Sequence, residues 1–268
     1  MKNRGGFTFV ETLVALAISS TLFVIMIVVF NGRQARVEFS QGLRDIESYI
    51  QDVSNDVRTG IYPNLANQKC SIVSGNVTFT NAASISQGTS DSCVYAGSAL
   101  LINSTGSTQG LLSNYSLAGV KKTPYISISE LKPTPMGVTG EETKRDFKMT
   151  GGISLVKIGG GGNRIKTSVL LGLIFDVAGV NVDSGTKKVS KVIPFIIPIS
   201  GVNISNIKSG ISSYPFTVPI TDAGTKLCFE STNGQTGLII VKKGPDGLTT
   251  ESQIGRPIDA ATGCVSGV

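Results

Sequence analysis

The residue best placed to do chemistry in this sequence is Glu11, a single carboxylate inside a long apolar run. Residues 7–30 contain no other ionisable side chain. An isolated carboxylate at membrane depth costs at least ~2.5 kcal/mol, and such groups normally have a partner. No lysine or arginine lies at helical spacing from Glu11 inside the run. We therefore expect its cationic partner to come from another molecule.

The apolar run itself has the length of a membrane span. As an α-helix, residues 7–30 would extend ~36 Å, which is enough to cross the hydrocarbon core of a bilayer. The apolar region of a secretory signal peptide is usually only about 7 to 15 residues long, so simple secretion fits poorly. A short basic leader that contains Lys2 and Arg4 precedes the run and ends at Gly6.

The junction between leader and run carries a recognisable motif. Residues 6–11 read Gly-Phe-Thr-Phe-Val-Glu, which resembles the cleavage and methylation signature of type IV prepilins and pseudopilins. The resemblance implies cleavage after Gly6 by prepilin peptidase and N-methylation of Phe7. It also implies that Glu11 neutralises the N-terminal amine, at Phe7, of a neighbouring subunit. The alternative is an ordinary signal anchor with a chance glutamate, which leaves both Glu11 and the Gly6-Phe7 junction unexplained.

Beyond residue 30 the helical pattern continues in amphipathic form. Apolar residues recur at steps of three and four, which predicts one buried stripe. The stripe consists of Phe39, Leu43, Ile46, Ile50, Val53 and Val57. Gly60 is placed to end the helix, so we predict one helix over residues 7–59, ~80 Å long. Asn31-Gly32 and Gly42 are expected to be soft points where it bends. The alternative use of the stripe is a coiled-coil stalk that pairs with itself.

Composition indicates the fold of the remainder. Aromatic residues make up 6% of the chain, Trp is absent and Gly is abundant, which is typical of a turn-rich β domain. Together with this composition, the family resemblance implies an α+β, pilin-like fold, with the long N-terminal helix packed on an antiparallel β-sheet head. The expected divisions are a leader, a transmembrane part of the helix, an amphipathic part and an extracytoplasmic β-rich head, at residues 1–6, 7–30, 31–60 and 61–268.

The strongest strand signals lie in the second half of the head. Residues 166–177 and 187–200 should pair as a long antiparallel hairpin, and Pro194 and Pro198 should push the second strand to a sheet edge. A second hairpin is predicted around Asn233-Gly234, with strands at 226–231 and 238–243.

Residues 64–160 are expected to be largely irregular, and the glycine run 159–162 to be a flexible turn. The short strand candidates in this region are 76–80, 92–96, 99–103 and 124–129.

The four cysteines are Cys70, Cys93, Cys228 and Cys264, and none is in a Cys-x-x-Cys motif, which makes metal binding a weak reading. Three pairings are open, and buried free thiols are the alternative to all of them. The sequential pairing is Cys70–Cys93 and Cys228–Cys264. The family resemblance favours a bridge near the C-terminus, which is the second of these.

Charge and composition limit the function classes. The chain lacks His, so it cannot supply a Ser-His-Asp or Cys-His nucleophile or a histidine zinc site. We therefore predict no catalytic residues, no cofactor and no metal. Residues 61–268 hold 18 basic and 12 acidic residues, but the basic ones are scattered. Solvation is the simpler reading of this excess, and binding of DNA or an acidic surface is the alternative.

A second resemblance narrows the expected role. Residues 53–62 are similar to the end of the long helix in W-type minor pilins and J-type minor pseudopilins, and Val28 stands where many major pilins have a helix-breaking proline. The resemblance implies a minor or priming structural subunit. Its partners would be prepilin peptidase, other pilin or pseudopilin subunits, a membrane assembly platform and, before assembly, the lipid bilayer.

The implied localisation is a single-pass cytoplasmic membrane protein with the head outside, and then a surface pilus or periplasmic pseudopilus. Three alternatives stay open. They are a tip adhesin or DNA-binding minor pilin whose head contacts DNA or a host or cell surface, a type II secretion pseudopilin, and a membrane-anchored enzyme.

Overall fold

The structure, a computed structural model, is dominated by one helix that runs continuously from Phe9 to Thr59 (α1). The helix ends at Gly60, whose φ of 71° lets its N–H donate to the carbonyls of Asp56 and Val57. The predicted single long helix is thus confirmed. The residues that the structure describes are 8–60, 68–81, 92–103, 110–122, 128–138, 141–142, 144–158, 168–175, 192–199, 204–213, 220, 224–244 and 247–254.

A β-rich head follows α1, and its described residues include one shorter α-helix, α2 (Ile204–Ser213). Every pairing between the described strands of the head is antiparallel, which confirms the predicted α+β class. The described strands are β1 (Gln68–Val73), β2 (Asn76–Asn81), β3 (Cys93–Asn103), β4 (Leu111–Val120), β5 (Thr134–Pro135), β6 (Gly137–Val138), β7 (Glu141–Glu142), β8 (Lys144–Lys148), β9 (Ile153–Ile158), β10 (Ser168–Phe175), β11 (Val192–Ile199), β12 (Thr225–Ser231), β13 (Thr236–Gly244) and β14 (Gly247–Ile254).

Six of the described strands form the larger sheet: five lie in the order β11-β10-β3-β4-β5, and the sixth, β8, pairs with another part of β4. The predicted hairpin of β10 and β11 is confirmed, with Gly172 opposite Phe195. β11 lies at the sheet edge, as expected from Pro194 and Pro198, because proline has no N–H to donate to a second neighbour.

Four other described strands form the smaller sheet, in the order β14-β13-β12-β9. Its central hairpin, β12 and β13, is the second predicted hairpin, and Gly234 in its turn has a φ of 72°. The part of the head that the structure describes therefore has two main sheets, where the sequence predicted one. Two short hairpins, β1 with β2 and β6 with β7, complete the described strands.

The core lies where α1 meets both sheets. All six residues of the predicted stripe are at most 3% exposed. Phe39, Leu43, Ile46 and Ile50 share one cluster with residues of both sheets, such as Leu100 from the larger. Because the stripe is buried in the chain's own head, the self-pairing coiled coil is wrong. On the larger sheet, α2 contributes to the core that Val53 and Val57 join.

Gly42 is a point of close contact between α1 and the head, a role that sequence analysis did not predict. A Cβ at this position would lie 2.6 Å from Ile153 Cδ1 and 2.9 Å from the Thr150 carbonyl oxygen. The helix is continuous there and at Asn31-Gly32. The missing side chain lets the helix approach the turn before β9 closely.

The expectation that residues 64–160 are largely irregular is wrong, because β1 to β9 lie within this range. The candidates 92–96 and 99–103 belong to one strand, β3, with a register shift between Tyr95 and Gly97. In the candidate 124–129, the described part begins a 3₁₀ turn, Ile128–Leu131. The glycine run 159–162 lies outside the described residues.

Candidate functional site: the N-terminal helix and its anchor points

The start of α1 is a capped helix terminus built around Glu11. The Thr8 hydroxyl accepts a hydrogen bond from the Glu11 backbone N–H at 3.3 Å, so Thr8 is the N-cap. A carboxylate in the first turn interacts favourably with the partial positive charge of the helix N-terminus. Sequence analysis missed the role of Thr8, although Thr-x-x-Glu before an apolar run is a capping-box pattern that could have revealed it. Glu11 thus has a fixed place one turn into the helix.

Glu11 is exposed within an apolar surface. Its neighbours Phe9, Val10, Leu13 and Val14 are all more than half exposed. Among the described residues, no lysine or arginine forms an ion pair with Glu11. The next cation along α1, Arg33, lies ~33 Å away. A single subunit therefore gives this carboxylate no counter-ion from the described part of the chain.

The first part of α1 could cross a membrane. Residues Phe9–Ile27 form a 19-residue stretch with a mean hydropathy of 2.2, and none of it is buried in the structure. Large apolar side chains at consecutive positions, Leu22 to Ile27, cover every face of the helix. The stretch therefore needs an apolar environment all around, which fits a membrane-anchored protein.

The second part of α1 is fastened to the edge strand β8 by three contacts. The Tyr49 ring stacks on Phe147 with centroids 4.8 Å apart, and its hydroxyl donates to the Arg145 carbonyl at 3.2 Å. Arg145 also forms an ion pair with Asp56 at 2.8 Å. Burial raises the pKa of the Tyr49 phenol above its ordinary value. Sequence analysis missed these residues because Asp56 and Arg145 are 89 positions apart.

A disulfide between Cys70 and Cys93 joins β1 to the start of β3, with 6.2 Å between the Cα atoms. Cys228 is also disulfide-bonded. Cys264, its predicted partner, lies outside the described residues, as do the predicted processing residues Gly6 and Phe7.

Nothing in the described part of the chain brings together three or more Cys, Asp or Glu side chains that could hold a metal ion. The candidate site is instead spread along α1. This helix carries a capped carboxylate, an exposed apolar half and a half that is fastened to the head.

A long helix whose first half is apolar and exposed, followed by a β-rich head, fits a membrane-anchored protein. A family model for the prokaryotic N-terminal methylation motif matches residues 1–27. The chain thus carries the type IV prepilin and pseudopilin signal, which confirms the family resemblance. This motif supports a structural subunit of the pilin or pseudopilin kind, processed by prepilin peptidase and assembled with other pilins. No curated protein and no solved structure matches the chain.

Proposed function

We propose that this chain is a minor or priming structural subunit of a type IV pilus or a related pseudopilus. Prepilin peptidase cleaves it between Gly6 and Phe7, and the mature subunit waits in the cytoplasmic membrane with its head outside. An assembly platform then moves it into the filament. One observation supports this proposal most strongly. The second half of α1 packs into the head, whereas the apolar side chains of the first half are exposed to the surroundings.

The exposed half suits transfer from lipid to a bundle of like helices. Both environments are apolar, so the move itself has little hydrophobic driving force. Glu11 makes the free energy of the subunit in lipid differ from that in the bundle, because an unpaired carboxylate at membrane depth costs at least ~2.5 kcal/mol. In the bundle it pairs with the N-terminal amine of a neighbouring subunit. That pairing disfavours a wrong axial register, in which the carboxylate would stay unpaired.

The experiment that tests this role is Glu11→Leu, measured as the ratio of subunit in sheared filaments to subunit in the membrane. Leucine makes a better membrane helix than glutamate does, so cleavage and insertion should survive. Incorporation should fall by roughly 60-fold, which is the equivalent of ~2.5 kcal/mol. Glu38→Gln is the matched control, because Glu38 is exposed on the same helix beyond the apolar run.

Two results would contradict the proposal at different points. Wild-type incorporation of Glu11→Leu would show that the amine pairing is wrong for this chain. Mass analysis of the mature N-terminus that found residues 1–6 still attached would remove the processing step instead.

A further inference from the structure

The segment of α1 between the apolar run and the head carries two exposed arginines, Arg33 and Arg36. On the run side, Phe30 is 73% exposed, and the first side chain buried in the head is Phe39. Val37, beside the arginines, is 62% exposed, so the head does not cover this segment. The arginines therefore lie on an uncovered helical segment, residues 33–38, which we call the neck. It joins the exposed apolar part of α1 to the part that is buried in the head.

Helix geometry puts this neck at the depth of lipid headgroups. Along a straight helix, Arg33 lies ~4.5 Å and Arg36 ~9 Å beyond Phe30. The polar layer on each side of a bilayer is about 5 to 7 Å thick. Side chains on a helix tilt toward its N-terminus, which here is the direction of the membrane. Both guanidinium groups can therefore reach the phosphate layer when Phe30 lies at the edge of the hydrocarbon core.

The protein offers these arginines no counter-ion in its described part. The nearest acid along the helix is Glu38, and its carboxylate accepts a hydrogen bond from the Gln34 side chain at 2.9 Å. Among the described residues, no ion pair involves Arg33 or Arg36. A guanidinium binds a phosphate with two parallel hydrogen bonds, which makes phosphate a suitable partner for each.

Among the described residues, the two turns of the head that lie beside the neck carry no acidic side chain. The turn that contains Gly151 lies against the helix at Glu38, since a Cβ on Gly151 would be 3.2 Å from the Glu38 carbonyl oxygen. The Thr232 N–H donates to the Gly152 carbonyl at 3.2 Å, which brings the turn of β12 and β13 alongside. Residues 149–152 and 232–235 contain no acid, and Lys148, just before them, is exposed.

We propose that Arg33 and Arg36 bind the phosphates of phospholipid headgroups on the head side of the membrane, with the neutral turns beside them facing the same surface. The contact sets the depth of the waiting subunit, and it must break when the subunit leaves the bilayer. The inference rests on the proposed function in one respect, the residence of residues 7–30 in lipid.

The experiment uses the full chain in vesicles of phosphatidylethanolamine and phosphatidylglycerol, in phosphate-free buffer so that lipid is the source of phosphorus. Solid-state NMR measures the dipolar coupling between isotope-labelled arginine side chains and lipid phosphorus. The dipolar coupling is compared between the wild type and the double variant Arg33→Gln/Arg36→Gln. The difference between the two couplings comes from these two side chains alone. Each single substitution should cause roughly half of the loss seen in the double variant, since each guanidinium forms its own contact.

Arg44→Gln is the matched control, because Arg44 is an exposed arginine ~12 Å farther along the same helix. We expect its substitution to leave the coupling unchanged. An unchanged coupling in the double variant, or an equal loss in Arg44→Gln, would overturn the inference. If the wild-type chain fails to insert into vesicles, the membrane step of the proposed function fails as well. If it inserts without the coupling, only the lipid contact is wrong.

Discussion

The two halves of α1 belong to one uninterrupted helix, yet they have different surroundings. Leu16, in the first half, is 67% exposed, whereas Leu43, in the second, is 0% exposed. The first half has apolar side chains on every face, so no single face selects the head. The second half has them at steps of three and four with charges between, so one face can be buried and the other stays in water. The arrangement of apolar residues around the helix, more than their number, separates the half kept for partners from the half used for folding.

The sharpest test of this contrast substitutes one leucine in each half. Leu43→Ala should lower the free energy of unfolding of the head by about 2 to 5 kcal/mol, because it removes buried methyl groups and leaves a cavity. Leu16→Ala removes the same atoms from a side chain that the head does not touch, so its effect should stay within about 0.5 kcal/mol. Urea unfolding of the full chain in detergent, followed by circular dichroism, measures both. Equal losses would show that the two halves are not energetically separate.

A smaller effect is expected where the buried half approaches the head most closely. Gly42→Ala adds a Cβ that clashes with Ile153 and with the Thr150 carbonyl, and overpacking of this kind costs about 1 to 3 kcal/mol. The gain in helix propensity, about 1 kcal/mol, offsets part of that cost. The net result should be a lower urea midpoint for Gly42→Ala.

Gln41→Ala is the control for Gly42→Ala, since Gln41 is the exposed neighbour on the same helix. It should change the midpoint little. A higher midpoint for Gly42→Ala would mean that the glycine is only a weak point of the helix, as the sequence suggested.

The smallest expected effect is a loss of stability at alkaline pH, caused by Tyr95 in the head. Burial raises the pKa of the Tyr95 phenol above its ordinary value of 10.0, and the Asp56 carboxylate of α1 raises it further. The unfolded chain therefore loses this proton at a lower pH than the folded chain does. The contribution of Tyr95 to stability should therefore be constant below pH 10 and should fall as pH rises from 10 toward the raised pKa.

Tyr95→Phe removes the titrating group together with the hydroxyl contact to Ser98 at 3.3 Å. The variant should therefore be less sensitive to pH above 10 than the wild type, as measured by urea midpoints across that range. An identical alkaline loss in both proteins would assign it to other groups, of which Tyr49 is one with a pKa raised in the same way.

Features set by local pattern were predicted well. Three of them are the stripe of α1, the end of α1 at Gly60 and the two hairpins, β10 with β11 and β12 with β13. Each depends on residues that lie close in sequence. β4 was missed for a physical reason. Its central residues Ser113, Asn114 and Ser116 are polar and read as a loop, yet all three are buried. A partner distant in the sequence helps the strand to tolerate Ser113, whose hydroxyl donates to Asp146 at 2.6 Å.

The sequence by itself determined that the chain has one long helix in two parts, a lone carboxylate near its start and a β-rich head. Apolar spacing, charge and the leader motif are local properties, and they do not depend on how distant segments meet. Only the tertiary structure decided that β10 pairs with β3 and β12 with β9, and hence that the described strands form two main sheets. The same holds for the close approach at Gly42 and for Cys70 joining Cys93 among the three open pairings. Such choices depend on packing between residues far apart in the chain, where many pairings share the same local pattern and differ only in how well the whole core closes.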